Sequence, residues 1–193
     1  MTQSPTILIV PGLRDHAAGH WQTLLMQRLP KVAGVPPMGR EDLHCARRVA
    51  AIETVAQFVR GPLIAVAHSG GCITLAHWLA GTKRRLVGAL MATPPDFERP
   101  MPEGFPTLDA LDAGGWLPVP RKPLPCPTLV AASRNDPLGD YSRVAGLARD
   151  WGATLVDLGA VGHLNPASGF GDWPGADHLI AELQHMASHA AAS

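Results

Sequence analysis

The apolar run Leu63-Ile64-Ala65-Val66-Ala67 stops abruptly at His68-Ser69-Gly70-Gly71, and a helical pattern begins at once. A β-rich run that feeds straight into a helix leaves no length for a connecting loop. The chain must turn within one or two residues, and small side chains are needed around that corner. A serine held there stands in the open, above a sheet edge and near the positive end of a helix. Such a placement suits nucleophilic attack on a carbonyl.

The rest of the chain repeats the same order. Short apolar runs at 6–10, 31–35 (extending toward Asp42), 63–67, 86–91, 128–132 and 154–158 read as strands. Helical stretches fall at 19–29, 46–60, 70–80, 141–151 and 176–190. The helical period is clearest in Trp21, Leu24, Leu25 and Leu29, and in Ile52, Val55, Ala56 and Val59. Strands alternating with helices predict a three-layer α/β/α sandwich around a mostly parallel sheet of about six strands. The second strand is the weakest of these, because it contains Gly34, Pro36 and Pro37. Between residues 93 and 127 the rhythm breaks. Proline crowds this segment, so it reads as loop with one short helix near 107–113, and a loop of that length points to function or mobility.

With 193 residues the chain is expected to form one domain, residues 1–193, with a real core. Its formal net charge is zero, which argues against nucleic acid as a partner. The one short basic run, Lys83-Arg84-Arg85, reads as a solvated helix end. Cys45, Cys72 and Cys126 are odd in number and in no metal-ligand spacing, so reduced, mostly buried thiols and a cytoplasmic location are expected. The run at Ile7–Val10 is too short for a signal peptide or a membrane span, and no membrane association is expected.

In an open parallel sheet, ligands bind beyond the C-terminal ends of the strands. The third strand ends at Ser69, the fifth runs into Ser133-Arg134-Asn135-Asp136, and the sixth is followed by Gly162-His163. Each residue alone has an ordinary reading: a helix cap, a turn residue, a loop histidine. Together they form a set. A serine hydroxyl needs a base to take its proton, histidine suits that task near neutral pH, and a carboxylate fixes the imidazole tautomer. The order Ser…Asp…His is the one used by α/β-hydrolases. Ser69 is therefore the candidate nucleophile, His163 the base and Asp136 the orienting acid. Asp140 is the runner-up acid and suits a helix cap better. Asp157 lies inside a strand and Asp177 follows His163, so both fit poorly. The backbone N–H groups of Gly70 and Leu13 are the candidate oxyanion donors.

Several segments carry a resemblance: Val10-Pro11-Gly12, His20-Trp21-Gln22, Val66-Ala67-His68-Ser69, Ala132-Ser133-Arg134-Asn135-Asp136-Pro137, Gly162-His163-Leu164-Asn165-Pro166-Ala167-Ser168-Gly169 and Trp173-Pro174. Together they resemble the small serine hydrolases of the retinoblastoma-binding-protein-nine and YdeN family, across nearly the whole chain. The resemblance implies a compact α/β-hydrolase fold without a cap domain, a Ser-Asp-His triad and action on small esters or related acyl compounds. One departure stands out: the usual elbow glycine is Ala67, which leaves Gly71 to supply the clearance.

His20, Trp21, Trp116, Phe105 and Leu13 are candidate pocket residues, and His68 reads as structural. No phosphate-cradling glycine loop follows the first strand, and His185 and His189 lack further ligands, so no cofactor and no metal are expected. The sequence thus predicts a carboxylesterase-like serine hydrolase acting on a small-molecule acyl substrate through an acyl-enzyme, with a fairly open site. The alternatives are an interaction module that keeps the fold with little turnover and binds a protein partner, or a small aminopeptidase or amidase.

Overall fold

In the computed structural model, residues 3–14 and 16–190 are described. The apolar runs form six strands: β1 (Thr6–Val10), β2 (Val32–Gly34), β3 (Leu63–His68), β4 (Gly88–Ala92), β5 (Thr128–Ala132) and β6 (Thr154–Asp157). Between and after them lie α1 (Trp21–Arg28), α2 (Cys45–Phe58), α3 (Gly70–Gly81), α4 (Leu108–Ala113), α5 (Tyr141–Asp150) and α6 (Gly175–Ala190), with a 3-10 turn at Pro166–Ser168. All strand pairs are parallel, in the order β2-β1-β3-β4-β5-β6. From β1 the chain first goes outward to β2, then crosses back to β3 on the other side. Such a reversal opens a crevice between the β1 and β3 ends, where open α/β sheets bind ligands.

Strand alternation divides the core into two faces. Leu63, Ala65 and Ala67 of β3 pack toward Ile52, Ile73, Leu75, Val144 and Leu147, which come from α2, α3 and α5. Ile64 and Val66 pack toward Trp21, Leu25, Ala176, Ile180 and Leu183 of α1 and α6. Every residue of β3 is buried, as its unbroken apolar pattern requires of a central strand.

One expectation needs correction. The second strand does not extend toward Asp42. It ends at Gly34 because Pro36 and Pro37 lack the N–H that a ladder needs, although Val35 N still donates to Ile9 O at 3.0 Å. In the basic run Lys83 and Arg85 are exposed, as a solvated helix end requires, and Arg84 donates to Val59 O at 3.1 Å and Gly61 O at 2.6 Å, beyond the end of α2. Side-chain contacts join the Pro-rich segment to the rest of the fold. Asp96 and Glu98 accept from Arg143, Arg121 joins Glu98 to Asp150, and the Trp116 and Trp151 indoles donate to Leu43 O and Pro120 O, each at 2.7 Å. No helix among the described residues is long and apolar enough to cross a membrane.

Candidate active site

Ser69 follows β3 with φ 54° and ψ −135°, a conformation that costs a non-glycine residue on the order of 1–3 kcal/mol. The crowding around it explains the glycines. A Cβ at Gly71 would stand 2.5 Å from Pro11 O, and one at Gly12 would stand 3.1 Å from the Ser69 Cβ. Ala67 is fully buried in the sheet and tolerated there, while Gly71 carries the clearance, as the sequence predicts. Ser69 makes no side-chain bond to the start of α3, which removes the helix-cap reading. Its Oγ instead meets His163 Nε2 at 2.8 Å.

His163 sits in the loop after β6. Its Nδ1–H donates to Asp136 Oδ2 at 2.8 Å and Oδ1 at 2.9 Å, and the Asp136 side chain is only 2% exposed. A proton held on Nδ1 leaves the Nε2 lone pair facing the serine hydroxyl. Asp136 Oδ1 also accepts from Leu138 N at 2.9 Å. Asp140, the runner-up acid, caps α5 by accepting from Ser142 N and Arg143 N. Asp157 is the last residue of β6 rather than an interior one, and it pairs with Arg134, away from the histidine. Asp177 pairs with Arg28.

A second layer of polar contacts holds these loops together. Asn135 Oδ1 accepts from Gly162 N at 2.7 Å and from Ser133 Oγ, joining the acid loop to the histidine loop. Ser168 Oγ accepts from His163 N at 3.0 Å, and His68 Nε2–H donates to the His163 carbonyl at 2.9 Å. His68 is therefore a tether between the serine corner and the histidine loop. The N–H groups of Leu13 and Gly70 have no hydrogen-bond partner among the described residues, and Leu13 and Gly70 both line the cleft.

That cleft has a volume of about 530 Å³. Its apolar wall comes from Leu13, Phe97, Met101, Phe105, Pro106 and Leu138, and Ser69 and His163 stand at its floor. Arg14 lies 4.5 Å above the Phe105 ring and bridges the rim to the Pro-rich segment. His20 and Phe105 line the cleft as expected. Trp21 and Trp116 do not. Trp21 is buried edge-on against Trp173 at 4.9 Å, and Trp116 is fully buried behind Phe97 at 5.3 Å. Phe97, Met101 and Leu138 were not singled out by sequence, because the proline-rich stretch carries no periodicity that would mark a wall.

His20 caps α1, accepting from Gln22 N on Nδ1, and stacks 4.6 Å from His68, which stacks 5.0 Å from His163. Burial pushes the His20 pKa down to about 4, with the nearby His163 and His16 adding to the effect. Burial likewise holds His68 well below the ordinary range. Both are neutral in the fold, whereas an unfolded histidine protonates near 6.5. Below that pH the unfolded chain binds protons that the native one refuses. Stability is therefore full above pH 6.5 and falls by about 1.4 kcal/mol per pH unit per histidine as acid is added. The thermal midpoint is expected to drop from pH 6.5 to 4.5, and less steeply in His20→Asn, which keeps a capping side chain. A midpoint constant over that range, measured by circular dichroism, would contradict this.

The three cysteines are free thiols, and burial pushes Cys45 up to about 11. No cluster of three or more His, Cys, Asp or Glu side chains suited to a metal occurs among the described residues. His185 and His189 face one another on the exposed face of α6 at 3.0 Å.

A family model described as serine hydrolase matches residues 7–182. No curated protein matches the sequence. Among solved structures, a YdeN-like hydrolase from Pectobacterium atrosepticum is 30% identical, with 94% of this chain and 91% of that chain covered and a TM-score of 0.81. The ydeN gene product of B. subtilis is 17% identical, with 93% and 98% covered and a TM-score of 0.73. A monoacylglycerol lipase from Paleococcus ferrophilus is 13% identical, with 97% of each chain covered and a TM-score of 0.65. The last two share the fold. Taken with the parallel sheet and the serine corner, the match over most of the chain settles its class: it belongs to the serine hydrolase family and is an enzyme of the small, YdeN-like α/β-hydrolase type.

Proposed function

We propose that this chain, acting as a single domain, hydrolyses small carboxylic esters through a Ser69–His163–Asp136 triad and an acyl-enzyme. The supporting observation is the 2.8 Å contact between Ser69 Oγ and His163 Nε2, made by a serine that caps no helix. His163 Nε2 takes the Ser69 proton as Oγ adds to the ester carbonyl. The oxyanion accepts from the N–H groups of Leu13 and Gly70, which are free to donate. Collapse breaks the C–O bond, and His163 returns its proton to the departing alcohol. Water then adds to the acyl carbon with His163 as base, and the acid leaves as Ser69 regains its proton. Asp136 stays ionised throughout and stabilises the imidazolium.

The cleft supports esters of modest size. Its volume lies in the range that encloses a small organic ligand, and its wall is apolar. A series of p-nitrophenyl esters tests this. kcat/KM is expected to be highest from butyrate to octanoate and to fall about tenfold or more at palmitate, since a chain left in water gains no burial energy. A maximum at palmitate would contradict the small-ester reading.

A further inference from the structure

Gln22 lies in the first turn of α1 and is only 2% exposed. Burying a primary amide is unfavourable unless its N–H groups find acceptors. Here Nε2 donates to two main-chain carbonyls, Val10 O at 3.1 Å and Val66 O at 3.0 Å. Val10 is the last residue of β1, from which residues 11–14 depart, and Val66 lies three residues before Ser69 in β3. These strands are direct neighbours, paired Ile9 to Val66 and Val10 to Ala67, on either side of the reversal in strand order.

The Val10 carbonyl is confined from a second direction. A Cβ at Gly71 would stand 2.6 Å from Val10 O, so this carbonyl abuts the start of α3 while Gln22 holds it. Leu13 follows Val10 by three residues, and Gly70 precedes Gly71. The Val10 carbonyl thus stands between Gln22 and the start of α3, close in sequence to one of these N–H groups and in space to the residue beside the other.

We propose that Gln22 is a positioning residue for the oxyanion donors. Its two hydrogen bonds fix the loop that carries the Leu13 N–H against the corner that carries Ser69 and the Gly70 N–H. This rests on the catalytic reading above. Gln22 does not line the cleft. Its effect falls on charge that develops only in the transition state, so its loss lowers kcat and spares KM. His20 sets the helix start that presents it, through the cap bond from Gln22 N at 3.2 Å.

The test compares wild type, Ser69→Ala, Gln22→Leu, Gln22→Met and Gln22→Glu with p-nitrophenyl butyrate. All three Gln22 variants keep the approximate volume and lose the double donor. The expected result is kcat lowered about 10- to 100-fold with KM within about twofold, and phosphonylation of Ser69 by a fluorophosphonate slowed in parallel. A role confined to folding would lower the thermal midpoint and leave kcat of the folded fraction unchanged; that outcome overturns the proposal. Loss of the native circular-dichroism spectrum in all three variants also overturns it, since Gln22 would then hold the fold rather than the site. If wild type shows no Ser69-dependent turnover, the catalytic reading itself fails and this inference falls with it. Wild-type turnover lost in Ser69→Ala but retained in folded Gln22→Leu sinks this inference alone.

Discussion

Ser69→Ala is expected to lower ester turnover by a factor on the order of 10⁴ or more. Alanine removes the oxygen that adds to the carbonyl, and no neighbouring side chain replaces it. Among the buried nucleophiles, Cys72 is the nearest in sequence, but its thiol is fully buried, donates to Ala92 O and is held well above its ordinary pKa by burial. The His163–Asp136 pair is left in place, since it depends on Leu138 N, Ser168 and His68 rather than on the serine hydroxyl. Folding is expected to survive, because the substitution leaves no large cavity and the corner is shaped by Gly12, Gly70 and Gly71. Residual hydrolysis above the uncatalysed rate would come from the oxyanion donors. Steady-state kinetics with p-nitrophenyl butyrate, alongside a thermal melt, check both halves.

Asp136→Asn is expected to cost a similar factor in kcat, about 10⁴, by a different route. The carboxylate now accepts the Nδ1–H of His163 with both oxygens. An asparagine amide nitrogen placed there favours the opposite tautomer, with the proton on Nε2 pointing at Ser69. His163 then has no lone pair to receive the hydroxyl proton. Volume hardly changes, so the melt should shift little compared with the loss in rate. Asp140→Ala provides the contrast. Asp140 caps α5 and is exposed, so its loss should lower the melting midpoint slightly and leave kcat within about twofold. The opposite pattern, with activity lost at Asp140 and kept at Asp136, would transfer the acid role.

The candidate triad was legible because parallel strands announce where they stop. The apolar runs ending at Ser69 and before Asp136 and His163 gave three positions beyond three strand ends, and folding brought all three together. What supports them was not legible. Gln22 reaches across 12 and 44 residues to its acceptors, and nothing local in a helix start signals that reach. Trp116 is a candidate pocket residue by sequence. Its indole instead donates to Leu43 O and its ring supports Phe97, so the smaller aromatic faces the cleft. The anchoring of the Pro-rich segment is not legible either, because its ion pairs to α5 join residues about 30 to 50 positions apart, beyond the range of any periodicity.

Intact mass spectrometry after treatment with a fluorophosphonate at neutral pH tests the catalytic assignment most directly. A phosphorus-centred adduct forms readily only on a serine activated by a neighbouring base. The wild type is expected to gain one adduct, mapped to Ser69 by peptide sequencing, with labelling abolished in Ser69→Ala and strongly slowed in His163→Ala. No adduct on the folded wild type, or an adduct that persists in Ser69→Ala, would contradict it.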